Sequence, residues 1–302
     1  MKILLTGSSG LVGSHLLEYI SKLDQKNLRL LCPTSTELDI TNSTSVSDYF
    51  LRNKPEIVVH FAGFTDVTAA ENQRGDKQGL AWKINVLGMQ NIADNCLINK
   101  TYLISISTDM VFSGKNDNPG PYKEDAPPET DFDKVSWYGA TKIQAENYVT
   151  ATMKNYAIVR ISNPTRARFD RKLDYVRKIL YLYDNKKLHP LFCDQHLTLT
   201  YINEVSAVVY KLIADKKTGI FHVSSCDLFT PFELGQYLFY KIRGVKNVVQ
   251  KASLTDYLKS IGSSPRYMQF SGLDTSYTKK ELGLTFLGWR EIIDALIKED
   301  LH

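Results

Sequence analysis

With 302 residues and a mass of 34.3 kDa, the chain is long enough to close one large core or two modest ones without disulfides or structural metals. Its 43% hydrophobic, 23% charged and 11% aromatic residues exclude a coiled coil, a collagen-like sequence and bulk disorder. A net charge of +4 and a pI of about 8.6 fall far short of a domain built around counterion release, so no nucleic-acid partner is expected.

Cys32, Cys96, Cys193 and Cys226 are scattered with no Cys-x-x-Cys pair, the pattern of reduced thiols and not of a zinc or redox site. The apolar run Ile3 to Leu5 meets Gly7 too soon for a signal peptide, and no uncharged stretch approaches the roughly 20 residues of a membrane span. The expectation is a cytoplasmic protein with no membrane partner.

Short apolar runs at Lys2 to Thr6, Leu28 to Cys32, Ile57 to Ala62, Tyr102 to Ser107 and Ala157 to Ile161 suit strands covered on both faces. Between them lie helical patterns, among them Leu11, Val12, His15, Leu16, Tyr19, Ile20 and Leu23, and the segment Ala81 to Ile98. The alternation predicts right-handed βαβ crossovers: an α/β fold with a Rossmann-type, doubly wound parallel sheet.

After Ile161 the texture changes to a basic helical stretch, Thr165 to Tyr183, followed by an irregular segment, Leu188 to Thr200. Asn203 is a candidate cap for a helix ending near Ala214, and Gly219 to Ser224 reads as one more strand. From Thr230 the tail carries helices, including Pro231 to Ile242 and Trp289 to Leu301. The expected organisation is a discontinuous Rossmann domain, residues 1–163 plus about 195–226. A smaller, mainly helical C-terminal substrate lobe would comprise about 164–194 plus 227–302.

Gly7, Gly10, Leu11, Val12 and Gly13 stand between the first strand and the first helix as Gly-x-x-Gly-x-x-Gly. Glycines there allow a tight turn and close backbone approach to a pyrophosphate, and the helix N-terminus offers N–H groups to its oxygens. The second strand is followed by Cys32, Pro33, Thr34, Ser35 and Thr36, with no acidic residue in place for an NAD ribose. Small hydroxyls tolerate a 2′-phosphate, so NADP(H) is favoured over NAD(H).

Tyr-x-x-x-Lys occurs three times, at Tyr138/Lys142, Tyr183/Lys187 and Tyr237/Lys241, where composition alone gives about 1.5, so the bare pattern selects none of them. Only the first lies within the βαβ series, where a side chain can reach the carboxyl end of the sheet at which open α/β folds bind ligands. On a helix its phenol and ammonium share one face. Thr108 ends the fourth strand, where a hydroxyl can bond a reacting oxygen. Asp109 beside it either bonds substrate or caps a turn.

The glycine loop, Asp39 with Ile40, the run His60, Phe61, Ala62 and Gly63, then Asn85, Thr108, Tyr138 and Lys142 together resemble an extended short-chain dehydrogenase/reductase. Leu38 to Thr41, Thr65 with Glu71, Ser107 to Phe112, Pro121 to Glu124 and Tyr138 to Lys142 resemble the dTDP-4-dehydrorhamnose reductase family within it. The resemblance is close to about residue 161 and thinner after it. It implies that Tyr138 protonates a carbonyl oxygen as hydride arrives, that Lys142 lowers the tyrosine pKa and holds the nicotinamide ribose, and that Thr108 orients the carbonyl. It also implies Asn85 as a water-mediated support for the lysine, Asp39 at the adenine edge, and Ala62, Gly63 and Thr65 along the cofactor.

Sugar 4,6-dehydratases of this scaffold carry an Asp-Glu pair after the threonine; here the pair is Asp109 and Met110, and a thioether cannot abstract a proton. Ser162, Asn163 and Pro164 resemble nucleotide-sugar epimerases more than rhamnose reductases, and Asn163 joins Thr108, Asp109 and Tyr138 as a candidate substrate contact. The leading expectation is an NAD(P)H-dependent reductase of a nucleotide-diphosphate 4-keto-6-deoxy sugar, with a homodimer as the assembly to test. The alternatives are a nucleotide-sugar 4-epimerase with bound NAD and a non-catalytic, dinucleotide-binding regulatory subunit. His60 reads as a hydrogen-bonded core residue. The basic stretch from Arg166 to Lys178 reads equally as a solvated face and as a diphosphate clamp.

Overall fold

Apolar runs and helical periodicities alternate in the structure as the sequence predicts. A computed structural model of the chain describes residues 1–23, 28–262 and 264–302. In order, it contains β1 (Lys2–Thr6), α1 (Leu11–Ser21), β2 (Arg29–Leu31), α2 (Ser43–Asn53), β3 (Ile57–His60), α3 (Val67–Glu71), α4 (Leu80–Trp82), α5 (Gly88–Ile98), β4 (Tyr102–Thr108), α6 (Trp137–Thr152) and β5 (Tyr156–Ile161). There follow β6 (Pro164–Thr165), α7 (Tyr175–Asp184), β7 (Leu191–Phe192), β8 (Thr200–Tyr201), α8 (Ile202–Asp215) and β9 (Gly219–Val223). The last elements are α9 (Pro231–Arg243), β10 (Lys251–Ala252), α10 (Leu254–Ile261), α11 (Ser276–Leu282) and α12 (Trp289–Lys298).

One compact unit comprises Met1–Phe112, Pro127–Arg160 and Ser206–Phe221. The main sheet has the order β2-β1-β3-β4-β5-β9, and β1 pairs in parallel with both β2 and β3, as β3 does with β4. The order reverses between β1 and β3, the topological switch point at which open α/β sheets form their ligand crevice. Leu4, Val58, Leu103 and Ile158 of the strands pack with Phe50, Ile92, Val149 and other helix residues into one buried cluster. Strands that are mostly apolar on both faces, with polar residues gathered chiefly toward their ends, are what a sheet covered on both sides requires.

Caps fix where the helices begin. Asn42 accepts the Ser45 N–H at the start of α2, and Ser136 accepts the Gly139 N–H at the start of α6, each worth about 1 kcal/mol. Helix α4, a π-helical turn at Lys83–Leu87 and α5 run on from one another over the segment the sequence reads as a single periodic helix. The π turn carries Asn85, consistent with the frequency of such bulges at functional positions.

The other unit comprises Ser113–Ala126, Ile161–Val205 and His222–His302. Its buried cluster is built from Val176, Leu180, Leu199, Phe229, Leu238, Trp289 and Ile293, with the two-stranded pairings β6–β8 and β7–β10 beside the helices. A capping box of Thr230 with Glu233, and Pro231 in the first turn, start α9; Gly244 in the left-handed region ends it.

The basic stretch expected to be helical from Thr165 to Tyr183 is helical only from Tyr175. Asp174 accepts the Arg177 N–H as cap and binds the Arg177 guanidinium at 2.8 Å, so the helix starts there. Asn203 lies inside the first turn of α8 and does not precede it. No helix among the described residues is long and apolar enough to cross a membrane.

Candidate active site

The last residues of β1, β3 and β4 are Thr6, His60 and Thr108, so three polar side chains stand together at the carboxyl edge of adjacent strands. The Thr6 hydroxyl and His60 Nδ1 are 2.7 Å apart, and the Ala62 N–H reaches the same hydroxyl at 3.4 Å. Burial, reinforced by the Lys142 charge, pulls His60 down to about 3, so the imidazole is neutral. Its position is that of a satisfied core residue.

The glycine turn fits a dinucleotide. Gly7 has φ of +67°, and a Cβ there would lie 2.5 Å from the Ala62 nitrogen; only glycine permits this approach of β1 to the chain after β3. Gly10 donates its N–H to the Gly7 carbonyl at 3.0 Å, and no side chain caps the 11-residue α1 that follows. Leu11 and Val12 open that helix, and Gly13 is buried beneath the turn. Backbone amides and the positive end of α1 are thus presented where a pyrophosphate would sit.

Asp39 and Ile40 play different parts. Asp39 is exposed and accepts the Thr41 N–H and hydroxyl, whereas Ile40 is buried against Gly88 and its carbonyl accepts from Asn91. The turn after β2 holds a carboxylate that the sequence reading passes over: Glu37 accepts the N–H and the hydroxyl of Thr34 at 2.8 and 3.0 Å. These bonds hold Glu37 below the usual carboxylate range. Arg29 is the exposed first residue of β2, at the opposite end of that strand.

Asn85 is buried on the π turn. Its amide bonds both backbone groups of Phe64, accepting at 2.7 Å and donating at 3.0 Å, and donates to the Thr141 hydroxyl at 2.9 Å. Thr141 donates in turn to the Tyr138 carbonyl at 2.7 Å. Ala62, Gly63 and Thr65 lie on the segment that Asn85 holds, and Gly63 and Thr65 are exposed. The structure therefore ties Asn85 to α6 through Thr141, while Lys142 turns elsewhere.

Tyr138, Thr108, Asp109 and Lys142 are brought together in the first unit. Close approach of α6 to the turn after β4 requires Gly139, because a Cβ there would meet the Met110 carbonyl oxygen at 2.2 Å. Thr108 donates to Asp109 Oδ1 at 3.0 Å and accepts the Met110 N–H at 3.2 Å, and the Tyr138 phenol is hydrogen-bonded to it as well. Burial first, then the Asp109 charge, push Tyr138 far above its usual range against the opposing pull of the Thr108 bond. The Lys142 ammonium donates to the Ile106 carbonyl at 2.6 Å; burial brings it down to about 8 against the pull of Glu146. The expected depression of the tyrosine by the lysine is not found; the phenol is kept protonated.

Asn163 belongs to the second unit, with φ of +47° and its amide bonded to the Ser162 hydroxyl and the Thr198 carbonyl, both at 3.1 Å. Among the described residues, no group of three or more His, Cys, Asp or Glu is placed to hold a metal.

Sheet order, glycine turn and grouped side chains define a Rossmann-type α/β chain with a tyrosine–threonine–lysine site at the carboxyl end of its sheet. The chain belongs to the family described as the RmlD substrate binding domain, whose family model matches residues 1–301. It is 28% identical over 299 residues to the spore coat polysaccharide biosynthesis protein SpsK of Bacillus subtilis, covering 99% of this chain and 97% of that one. It is also 28% identical over 229 residues to a dTDP-4-dehydrorhamnose reductase of Aggregatibacter actinomycetemcomitans, covering 73% and 72%. The crystal structure of dTDP-4-dehydrorhamnose reductase from Bacillus anthracis, in complex with NADP, superposes with a TM-score of 0.84 at 26% identity, covering 99% of each chain.

Proposed function

We propose that the protein is an NAD(P)H-dependent oxidoreductase that reduces the 4-keto group of a nucleotide-diphosphate 6-deoxy sugar, with NADP(H) preferred. Family membership and the reductase names of the relatives support the reaction class, and the neighbour bound to NADP supports the cofactor. The observation that carries the reading is the Tyr138 phenol, protonated and bonded to Thr108 at the end of β4, with Lys142 one helical turn along α6.

A dinucleotide held by these residues would supply hydride to the carbonyl carbon when bound. Tyr138 delivers its proton to the carbonyl oxygen, so the ketone becomes a secondary alcohol and the phenol a phenolate that solvent reprotonates. A phenol held protonated at neutral pH suits this direction. Thr108 aligns the oxygen, and Lys142, one turn along α6, would hold the nicotinamide ribose. Gly7, Gly10, Leu11, Val12 and Gly13 would cradle the pyrophosphate. Asp39, Ile40, Ala62, Gly63, Thr65 and Asn85 would line the cofactor, and Asp109 would meet the sugar.

The test is NADPH and NADH oxidation with nucleotide-linked 4-keto-6-deoxy sugars, with Tyr138→Phe as control. Turnover that the variant loses is the expected result. Tight dinucleotide binding without turnover would overturn the reading in favour of an epimerase or a regulatory subunit. A cytoplasmic location is proposed with it, where Cys32, Cys193 and Cys226, free and exposed, stay reduced. The assembly proposed is a homodimer, to which the exposed Leu87, Leu97 and Ile98 offer apolar surface.

A further inference from the structure

The segment that leads into Tyr138 is gripped by two residues to which the reaction gives no part. Glu71, the last residue of α3, accepts at Oε2 the backbone N–H of Trp137, the first residue of α6, at 2.8 Å. The same carboxylate is bound by Arg74, through Nε at 2.6 Å and Nη2 at 3.3 Å. Arg74 then donates to two carbonyls of the approaching chain, that of Phe132 from Nη1 at 3.1 Å and that of Val135 from Nη2 at 2.7 Å. Three backbone groups in the stretch 132–137 therefore end on a single ion pair.

The first N–H groups of a helix have no partner within it, so the first turn moves unless something outside takes them. On α6 Ser136 takes that of Gly139 and Glu71 takes that of Trp137. The pair is about a quarter exposed, 25% for Glu71 and 29% for Arg74, and an ion pair so placed adds only about 0–1 kcal/mol to stability. Its effect on rate is governed by a steeper law, since a reacting group misplaced by about 1 Å costs roughly 100-fold. A bond network of little weight in folding and directed at the residue before the acid serves geometry.

We propose that Glu71 and Arg74 are positioning residues for the reduction, a strap that fixes the first turn of α6 and so keeps the Tyr138 phenol on Thr108. The inference rests on the reductase reading and adds to it two residues that touch neither cofactor nor substrate. The fork of Arg74 is needed, because its four bonds leave from three separated nitrogens, whereas a lysine ammonium offers three N–H groups on a single atom.

The experiment compares wild type with Glu71→Ala, Glu71→Gln and Arg74→Lys in kcat, KM, dinucleotide Kd, Tm and amide hydrogen exchange over the first turn of α6. Glu71→Ala is expected to lower kcat by about tenfold or more, to leave dinucleotide Kd within about twofold, to leave Tm within a few degrees and to speed exchange from Trp137 to Ala140. Glu71→Gln, which keeps an acceptor for the Trp137 N–H, should recover most of the lost kcat, and Arg74→Lys should not. Unchanged kcat and exchange in Glu71→Ala overturn the proposal, as does a kcat that falls only in step with Kd and Tm. Should wild type fail to oxidise NADPH with any keto sugar, it is the functional reading that fails. The strap is then judged on exchange alone: protection in wild type that Glu71→Ala loses supports it, and equal exchange rejects it.

Discussion

The Thr108 hydroxyl donates to the Asp109 carboxylate 3.0 Å away, and both side chains are buried. The same oxygen accepts the Met110 N–H and is bonded to the Tyr138 phenol, so one hydroxyl joins the turn after β4, a buried carboxylate and the proposed acid. Asp109 holds Thr108 in place while its charge opposes the phenolate. The arrangement keeps the proton on Tyr138 until the reaction draws it off.

Replacing Thr108 by Val keeps the shape of the side chain and removes all three bonds. Loss of a single oriented donor at a developing oxyanion typically costs about 100- to 1000-fold in kcat. Thr108→Val should therefore lower kcat by about 100-fold with dinucleotide Kd unchanged, because the glycine turn and α1 are untouched. Steady-state kinetics beside fluorescence titration of NADPH reads both quantities. A variant of near wild-type kcat would remove Thr108 from the reaction.

The Lys142 ammonium titrates near pH 8, inside the range of an ordinary assay. A cation whose folded pKa is lowered loses its charge as pH rises through that value, so kcat/KM should fall along an alkaline limb near pH 8. Glu146 on α6 is the charge that bears on it, beside neutral His60 on β3, and Glu146 is itself bound at 2.6 Å by the buried Arg160 of β5. Glu146 raises the lysine, so Glu146→Gln should move the limb to lower pH. Breaking a buried pair from one side costs about 3–5 kcal/mol, and the paired change Glu146→Gln with Arg160→Met avoids leaving the guanidinium uncompensated. A limb that stays in place in both variants would show that the lysine charge does not govern the rate.

The sheet was legible because its strands are short, mostly apolar runs separated by helical periodicities, a signal that tertiary context has little means to override. Tyr138 was legible only through its neighbours, since its motif occurs three times in the chain and the preceding strand had to select one. Three things escaped for physical reasons. Gly139 reads as an ordinary helix-weakening residue until the Met110 carbonyl is seen against it. Glu71 belongs to the family resemblance, but the grip it makes with Arg74 is aimed at backbone groups about sixty residues away, which no local pattern encodes. The start of α7 was set by the Asp174 cap, where the run of basic residues suggested an earlier one.

Glu37 is the residue through which cofactor choice can be measured. The chain after the second strand lies where this fold places the adenosine ribose, and there the Glu37 carboxylate holds the Thr34 N–H and hydroxyl at 2.8 and 3.0 Å. A 2′-phosphate nearby would feel a like charge, weakly screened at low salt. Glu37→Gln keeps an oxygen to accept from Thr34 and removes the charge. The ratio of kcat/KM for NADPH over NADH should rise by up to about tenfold, and the gain should shrink as ionic strength increases. A fall in NADH use without a gain for NADPH would reverse the assignment, since the carboxylate would then be bonding ribose hydroxyls and the enzyme would be built for NAD.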